Sequence, residues 1–435
     1  MGRVRHSGFE FSTYNEPGGA FYDWHGKTGT VTKDTGVFRS GLASVKFDSA
    51  AGNVAATLEF DDPQGVTTNE DYYFRFYLRF GALPASTVRV MRFGTATGGD
   101  NQVSARLTSA GKLQLWNDTA GTQIGSDSAA TIAIDTWYRV EMFVDIDGSS
   151  QMVGTALRLD GIEVASGSFA ALFVGAQFMA GWIDAPGASK VMYADDFAAN
   201  DSSGAVNNSW PGEGRVVRLL PVSDSQRGSW TGGAGGTTNL WDAVNNVPPI
   251  GTASETNLTQ IESTDSSGDN ATDEYRAAMT TPTDAGVPAG ATINALSAYI
   301  WHGEDVNTGT KTGSFGWHTP STAYSTFTFG NNLGALGTWP AVEWVAETPS
   351  AQTLDQPSLA LGSNPIMAVR KTDTGTRVAS VCAMYAYLDY TEAAVVANVP
   401  RHGFVNHANP GVLMKGIRRA WHRRSSGIFV PEYSF

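Results

Sequence analysis

Apolar and polar residues alternate in short runs along most of this chain, and Gly-, Asn- and Asp-rich turns punctuate the runs. That period-two rhythm predicts β-strands with one buried face. In residues 1–200 it predicts strands at Val54–Phe60, Tyr72–Phe80, Val88–Phe93, Lys112–Trp116, Trp137–Ile146, Ala156–Leu159 and Met192–Phe197. In YYFRFYLRF the alternation places Arg75 and Arg79 on one face, which is expected to be wet. Further on, Ala291–Trp301, Thr310–Trp317, Ser325–Phe329, Ile366–Arg370 and Arg377–Tyr390 continue the pattern. Between the two series lies a firm strand, Arg215–Pro221, entered by Trp210-Pro211 and flanked by the polar run 200–204 and the glycines 232–236. The expected fold class is therefore all-β: two tandem β-sandwiches (1–200 and 222–393), a short connector (201–221) and a C-terminal arm (394–435).

The arm has a different pattern. Asn409-Pro410 is a helix-start signal. Leu413, Ile417 and Trp421 then recur at i, i+4 and i+8, which predicts a short amphipathic helix with a basic back. Six basic side chains, among them Arg418, Arg419, Arg423 and Arg424, face one acidic residue over 396–435. The arm is thus at +5, and the rest of the chain carries −18 of a total of −13. Leu413, Ile417 and Trp421 are expected to pack on a neighbouring subunit of a homo-oligomer, while Arg418, Arg419, Arg423 and Arg424 meet acidic surface of the same or partner chains.

Length allows two or three domains, and 49 glycines with only 16 % charged residues suit turn-rich sandwiches rather than helical bundles. A pI near 5.0 argues against a nucleic-acid-binding body. The single cysteine, Cys382, lies in an apolar run and permits no intramolecular disulfide. The first residues lack an apolar stretch of signal-peptide length, and no run reaches membrane-spanning length, so cytoplasmic synthesis without membrane contact is expected.

Several motifs resemble known families. The run WPG-x-G-RVVRLLPVSDS-x-x-GSW, starting at Trp210, is similar to a connector in virion-surface proteins of tailed bacteriophages, where it joins a concanavalin-A/laminin-G-like jelly roll to a second β domain. The span Trp137–Val164, with its W-x-x-V-x-x-x-x-D strand and its Leu157-Arg158-Leu159-Asp160-Gly161 turn, resembles that jelly roll. Asp265–Glu274 and Pro288–Leu296 resemble the domain that follows the connector, which implies a second jelly roll. Together these resemblances imply a virion protein, in the tail or as a capsid decoration, with other virion proteins as partners, trimers as a common form and host-surface glycans as a ligand. A lectin module without a structural role is the alternative.

Gly8-Phe9-Glu10 and Asp195-Asp196-Phe197 resemble the paired strand ends of carbohydrate-binding jelly rolls. This implies a structural calcium on Glu10, Asp195 and Asp196, the one cofactor expected; alternatively these carboxylates hold backbone amides. Trp116, Trp182 and Tyr193 are candidates for stacking on sugar rings, or else core. Glu141, Asp145 and Asp147 share a strand face but depart from the E-x-D-x-x-E of laminarinase-type glycanases. No H-E-x-x-H, G-x-S-x-G or Walker loop occurs, so a non-enzyme is expected. His302, Glu304, Asp305 and His318 lack the tight spacing of a metal site.

Overall fold

The computed structural model describes residues 3–10, 26–49, 55–61, 70–94, 102–172, 177–203, 207–232, 239–245, 260–263, 273–304, 311–318, 325–329, 341–347, 364–372, 378–393, 420–423 and 429–432. Their regular secondary structure is all strand except for one short helix at Leu240–Val244. Four antiparallel sheets form two jelly-roll sandwiches. Sheet I runs Ile162–Leu172, Gln151–Leu159, Trp137–Ile146, Glu70–Phe80, Val191–Asp201, Ser44–Asp48 and Thr30–Asp34, and Arg3–Ser7 also pairs on Val191–Asp201. Sheet II runs Thr122–Ile124, Leu113–Asn117, Gln102–Leu107, Val88–Gly94, Gln177–Trp182, Ala56–Asp61 and Gly26–Thr28. Phe74, Phe76, Leu78 and Phe80 point inward from sheet I and meet Val90, Phe93, Val103 and Phe178 of sheet II in one core.

The second sandwich pairs sheet III (Trp230–Gly232, Ile261–Ser263, Ala379–Thr391, Thr292–Glu304, Ala341–Glu347, with Arg215–Leu219 beside Ala379–Thr391) with sheet IV (Pro221–Gln226, Tyr275–Met279, Ile366–Lys371, Lys311–Trp317, Ser325–Phe329). The strand Ala379–Thr391 is buried on both faces. Met384, Ala386 and Leu388 enter the core between sheets III and IV. Ala383, Tyr385 and Tyr387 join Val216, Tyr299 and Trp301 in a second apolar layer, where Tyr299 and Tyr385 stack at 4.6 Å. Cys382 on the same strand is buried, and burial pushes its thiol up.

Met1–Ala393 form one compact unit that holds both sandwiches and the connector. The connector is a strap laid over the outer face of sheet I. Trp210 packs on Tyr73 and Phe143 with the Arg158 guanidinium 3.9 Å over its ring. Gly212 N–H donates to Glu141 at 2.8 Å, and Val216 N–H donates to Asp196 at 2.6 Å. Arg215–Leu219 then enters sheet III. The expected wet arginine face is thereby corrected. Arg75 is 0 % exposed under the strap, and donates to the Asp196 and Gly212 carbonyls and to Asp389 at 3.0, 3.3 and 3.3 Å. Arg79 stays nearer solvent, paired with Asp135 at 2.9 Å.

The first strand is part of the same joint. Arg3 binds Asp389 at 2.6 Å. His6 lodges against sheet III, and burial, with Arg3 nearby, pushes its pKa down to about 3. The imidazole is therefore neutral. Its Nε2–H must donate to the Tyr387 carbonyl at 3.0 Å, since a carbonyl only accepts, which leaves Nδ1 to accept from Ser297 Oγ at 3.2 Å.

The expected C-terminal helix is corrected where the arm is described. Ala420–Arg423 is a strand paired antiparallel with Phe429–Glu432, so Trp421 and Arg423 lie on a hairpin. Trp421 on one strand, with Phe429 and Val430 on the other, favours pairing over a helical turn there. Leu413, Ile417, Arg418, Arg419 and Arg424 lie outside the described residues.

Candidate functional site

The outer face of sheet II gathers ligand-binding chemistry. Strand alternation turns Leu113 and Leu115 into the core and Gln114 and Trp116 outward. The ladder sets Trp116 between Ser104 and Gln123, and Arg106 beside Gln114. The Arg106 guanidinium lies 4.0 Å over the Trp116 ring and binds Asp118 at 2.5 Å. Ser104 Oγ donates to the same Asp118 oxygen at 2.9 Å. Trp116 Nε1–H donates to Gln114 at 2.9 Å, and Gln114 and Gln123 both donate to Asp127 at 2.8 and 3.0 Å. The two amides hold the Asp127 carboxyl below its ordinary pKa. Arg89 pairs with Asp184 at 2.5 Å and lies 3.7 Å from Asp118. The result is a partly exposed indole held edge and face, ringed by planar amides and charge-paired guanidiniums. With Arg106 over one indole face, the surface offers a pyranose the still exposed part of the indole and a ring of amides and guanidiniums able to hydrogen-bond its hydroxyls.

The three stacking candidates are not one site. Trp182 is 0 % exposed and packs on Phe80 in the core, which removes it as a ligand. Tyr193 lies on sheet I, with Arg79 5.4 Å over its ring, and Trp116 lies on sheet II. Sequence reasoning missed Arg106, Gln114 and Gln123. The alternation of Leu113–Asn117 could have shown Gln114 beside Trp116, but cross-strand neighbours need the ladder.

The calcium candidates lie at the joint between the sandwiches, and each is committed to a donor. Asp195 accepts from the Arg39 and Ser40 amides at 2.8 and 3.3 Å. Asp196 takes Ser40 Oγ and the Val216 amide on one oxygen and Arg39 at 2.5 Å on the other. Arg39 itself lies 3.3 Å over the Tyr77 ring. Glu10 accepts from the Leu42 amide at 3.2 Å, with Arg218 at 4.0 Å. Burial and the Asp196 charge push the Asp195 pKa up. Burial likewise pushes Glu10 up to about 7. Oxygens filled by amides and guanidinium are a poor calcium set. Among the described residues no group of three or more His, Cys, Asp or Glu side chains is placed to hold a metal. The arrangement matches the alternative of carboxylates that satisfy backbone amides.

The acidic trio also divides. Glu141 is 1 % exposed under the strap, held by Gly212 N–H and Arg139 at 3.2 Å. Asp147 caps its own turn through the amides of Ser149 and Gln151, each at 2.8 Å. His302 is buried, His318 lies 3.5 Å from Glu274, and Asp305 lies outside the described residues.

No family model and no curated protein matches the chain. Solved structures do. A fungal endo-β-1,4-glucuronan lyase from Trichoderma reesei matches at 16 % identity and TM-score 0.33, over 42 % of this chain and 92 % of its own. The cellulose-induced protein Cip1 matches at 16 % and TM-score 0.34, over 48 % and 92 %. The alginate lyase vAL-1 from Chlorella virus matches at 12 % and TM-score 0.30, over 41 % and 92 %. None of these is a phage virion protein. The presence of polysaccharide lyases among them overturns the expectation of a non-enzyme. At TM-scores this low they supply no activity in its place.

Proposed function

We propose that this chain is a surface component of a tailed-phage particle that contacts host-surface glycans through the outer face of its first sandwich. The observation that carries the glycan reading is the Trp116 platform. An indole braced by Arg106 and Gln114, among amides and paired charges, is arranged for a sugar ring and not for a hydrophobic partner. The resemblance of the Trp210–Trp230 segment supports the particle setting. The docked strap supports display, because it makes two sandwiches one body able to transmit contact without folding back. The test has two arms. Mass spectrometry of density-purified particles is expected to find the chain in fixed ratio to the capsid protein; its absence sinks the virion setting. A glycan array is expected to show binding by the full chain that Trp116→Ala loses. The same glycans, followed for new reducing ends or new double bonds, separate binding from turnover.

A further inference from the structure

A cavity of about 420 Å³ opens on the second sandwich, away from any residue discussed as a site so far. We infer that it is a second saccharide site, specific for neutral glycans. One wall is the edge strand Pro221–Gln226, which contributes Ser223, Ser225 and Gln226. The other is the start of the short helix, which contributes Asn239 and Trp241. Hydroxyl and amide groups here both donate and accept, as sugar hydroxyls require, and Trp241 supplies an aromatic wall. The size lies toward the low end of about 300–1,000 Å³ for small-molecule sites, which suits one or two sugar rings.

The site is built in advance. Asp224 accepts from the Trp241 amide at 2.7 Å, the Leu240 amide at 3.1 Å, Tyr275 Oη at 2.9 Å and Arg227 at 2.7 Å. One carboxylate thus pins the helix start, and with it Trp241, to the strand. Little ordering is left for a ligand to impose. Asp224 and Arg227 are the charged residues lining the cavity, and they neutralise each other. That balance excludes a preference for uronates or sulfated sugars and points to neutral ones.

Saturation-transfer NMR on the full chain, with neutral hexasaccharides of the β-gluco, α-gluco, β-manno and β-xylo series, tests this, with trigalacturonate as the acidic counterpart. At least one neutral hexasaccharide is expected to bind. Trp241→Ala is expected to weaken it about tenfold, the upper range for losing one aromatic contact. Ser225→Tyr, which fills the cavity from an exposed strand position and leaves the helix untouched, is expected to do the same with an unchanged melting temperature. Trp116→Ala is expected to leave this binding intact, so the inference stands or falls apart from the first-sandwich face. Failure of all four neutral probes, preference for trigalacturonate, or wild-type binding by both cavity variants overturns it.

Discussion

Glu10 shows how burial can outweigh favourable charge. Arg218, the Leu42 amide and Lys33 all favour its ionised form, yet desolvation, helped by Asp196, pushes its pKa up to about 7. The folded protein therefore holds a proton on Glu10 between about pH 4.5 and 7 that the unfolded chain releases. Where the folded state binds more protons, stability falls as pH rises. Wild-type stability is expected to decline across this window by about 3 kcal/mol from this group alone. Glu10→Gln keeps the shape of the protonated acid and is expected to flatten the decline, as read from urea midpoints at pH 5 and pH 7.5. An equal slope in both proteins would show that Glu10 ionises freely in place. A resemblance at the sequence level marked Glu10, Asp195 and Asp196 as a set; all three lie at the joint, but not as a metal-holding group. What the sequence could not show was Arg39 pairing with Asp196 and Arg218 lying 4.0 Å from Glu10.

At the scale of elements, the strands with clean alternation were legible: Trp137–Ile146 and Ser325–Phe329 form at the expected residues. Ile162–Leu172 was not, because Gly and small residues dilute its pattern and its ladder with Gln151–Leu159 decides it. In the connector, Gly212 and Gly214 answer to turn geometry and close approach, which the one-dimensional pattern does not reveal. Gly212 has φ +67°, and a Cβ on Gly214 would stand 2.1 Å from Arg75 Nη1 and 2.6 Å from Asp389 Oδ1. Both neighbours are buried and ion-paired, so neither can step aside. Gly214→Ala is expected to cost about 1–3 kcal/mol, the usual range for overpacking, in denaturant titration. A neutral result would mean that the strap lies loosely on sheet I.

For the whole molecule, the decisive feature is a buried charge cluster that belongs to neither sandwich alone. Arg75 comes from sheet I, Arg3 from the first strand and Asp389 from sheet III. Burial opposes ionisation of Asp389, but Arg75 and Arg3 overcome it and hold its pKa below the ordinary value. Two guanidiniums share one carboxylate, so separating the sandwiches would strand three charges whose geometry is matched only in the joined state. Such a cluster is weak evidence for net stability, since apolar replacements can serve as well, but breaking one member is expensive. Asp389→Ala is therefore expected to destabilise by about 3–5 kcal/mol, because Arg3 and Arg75 remain buried without their partner. The mode of failure matters more than its size. Scanning calorimetry of the wild type is expected to show residues 1–393 melting in one transition, with calorimetric and van't Hoff enthalpies in agreement. In Asp389→Ala the joint is expected to fail first and the transition to split in two. Two transitions already present in the wild type would mean that the sandwiches are coupled by the chain alone, and the strap would then be a tether rather than a weld.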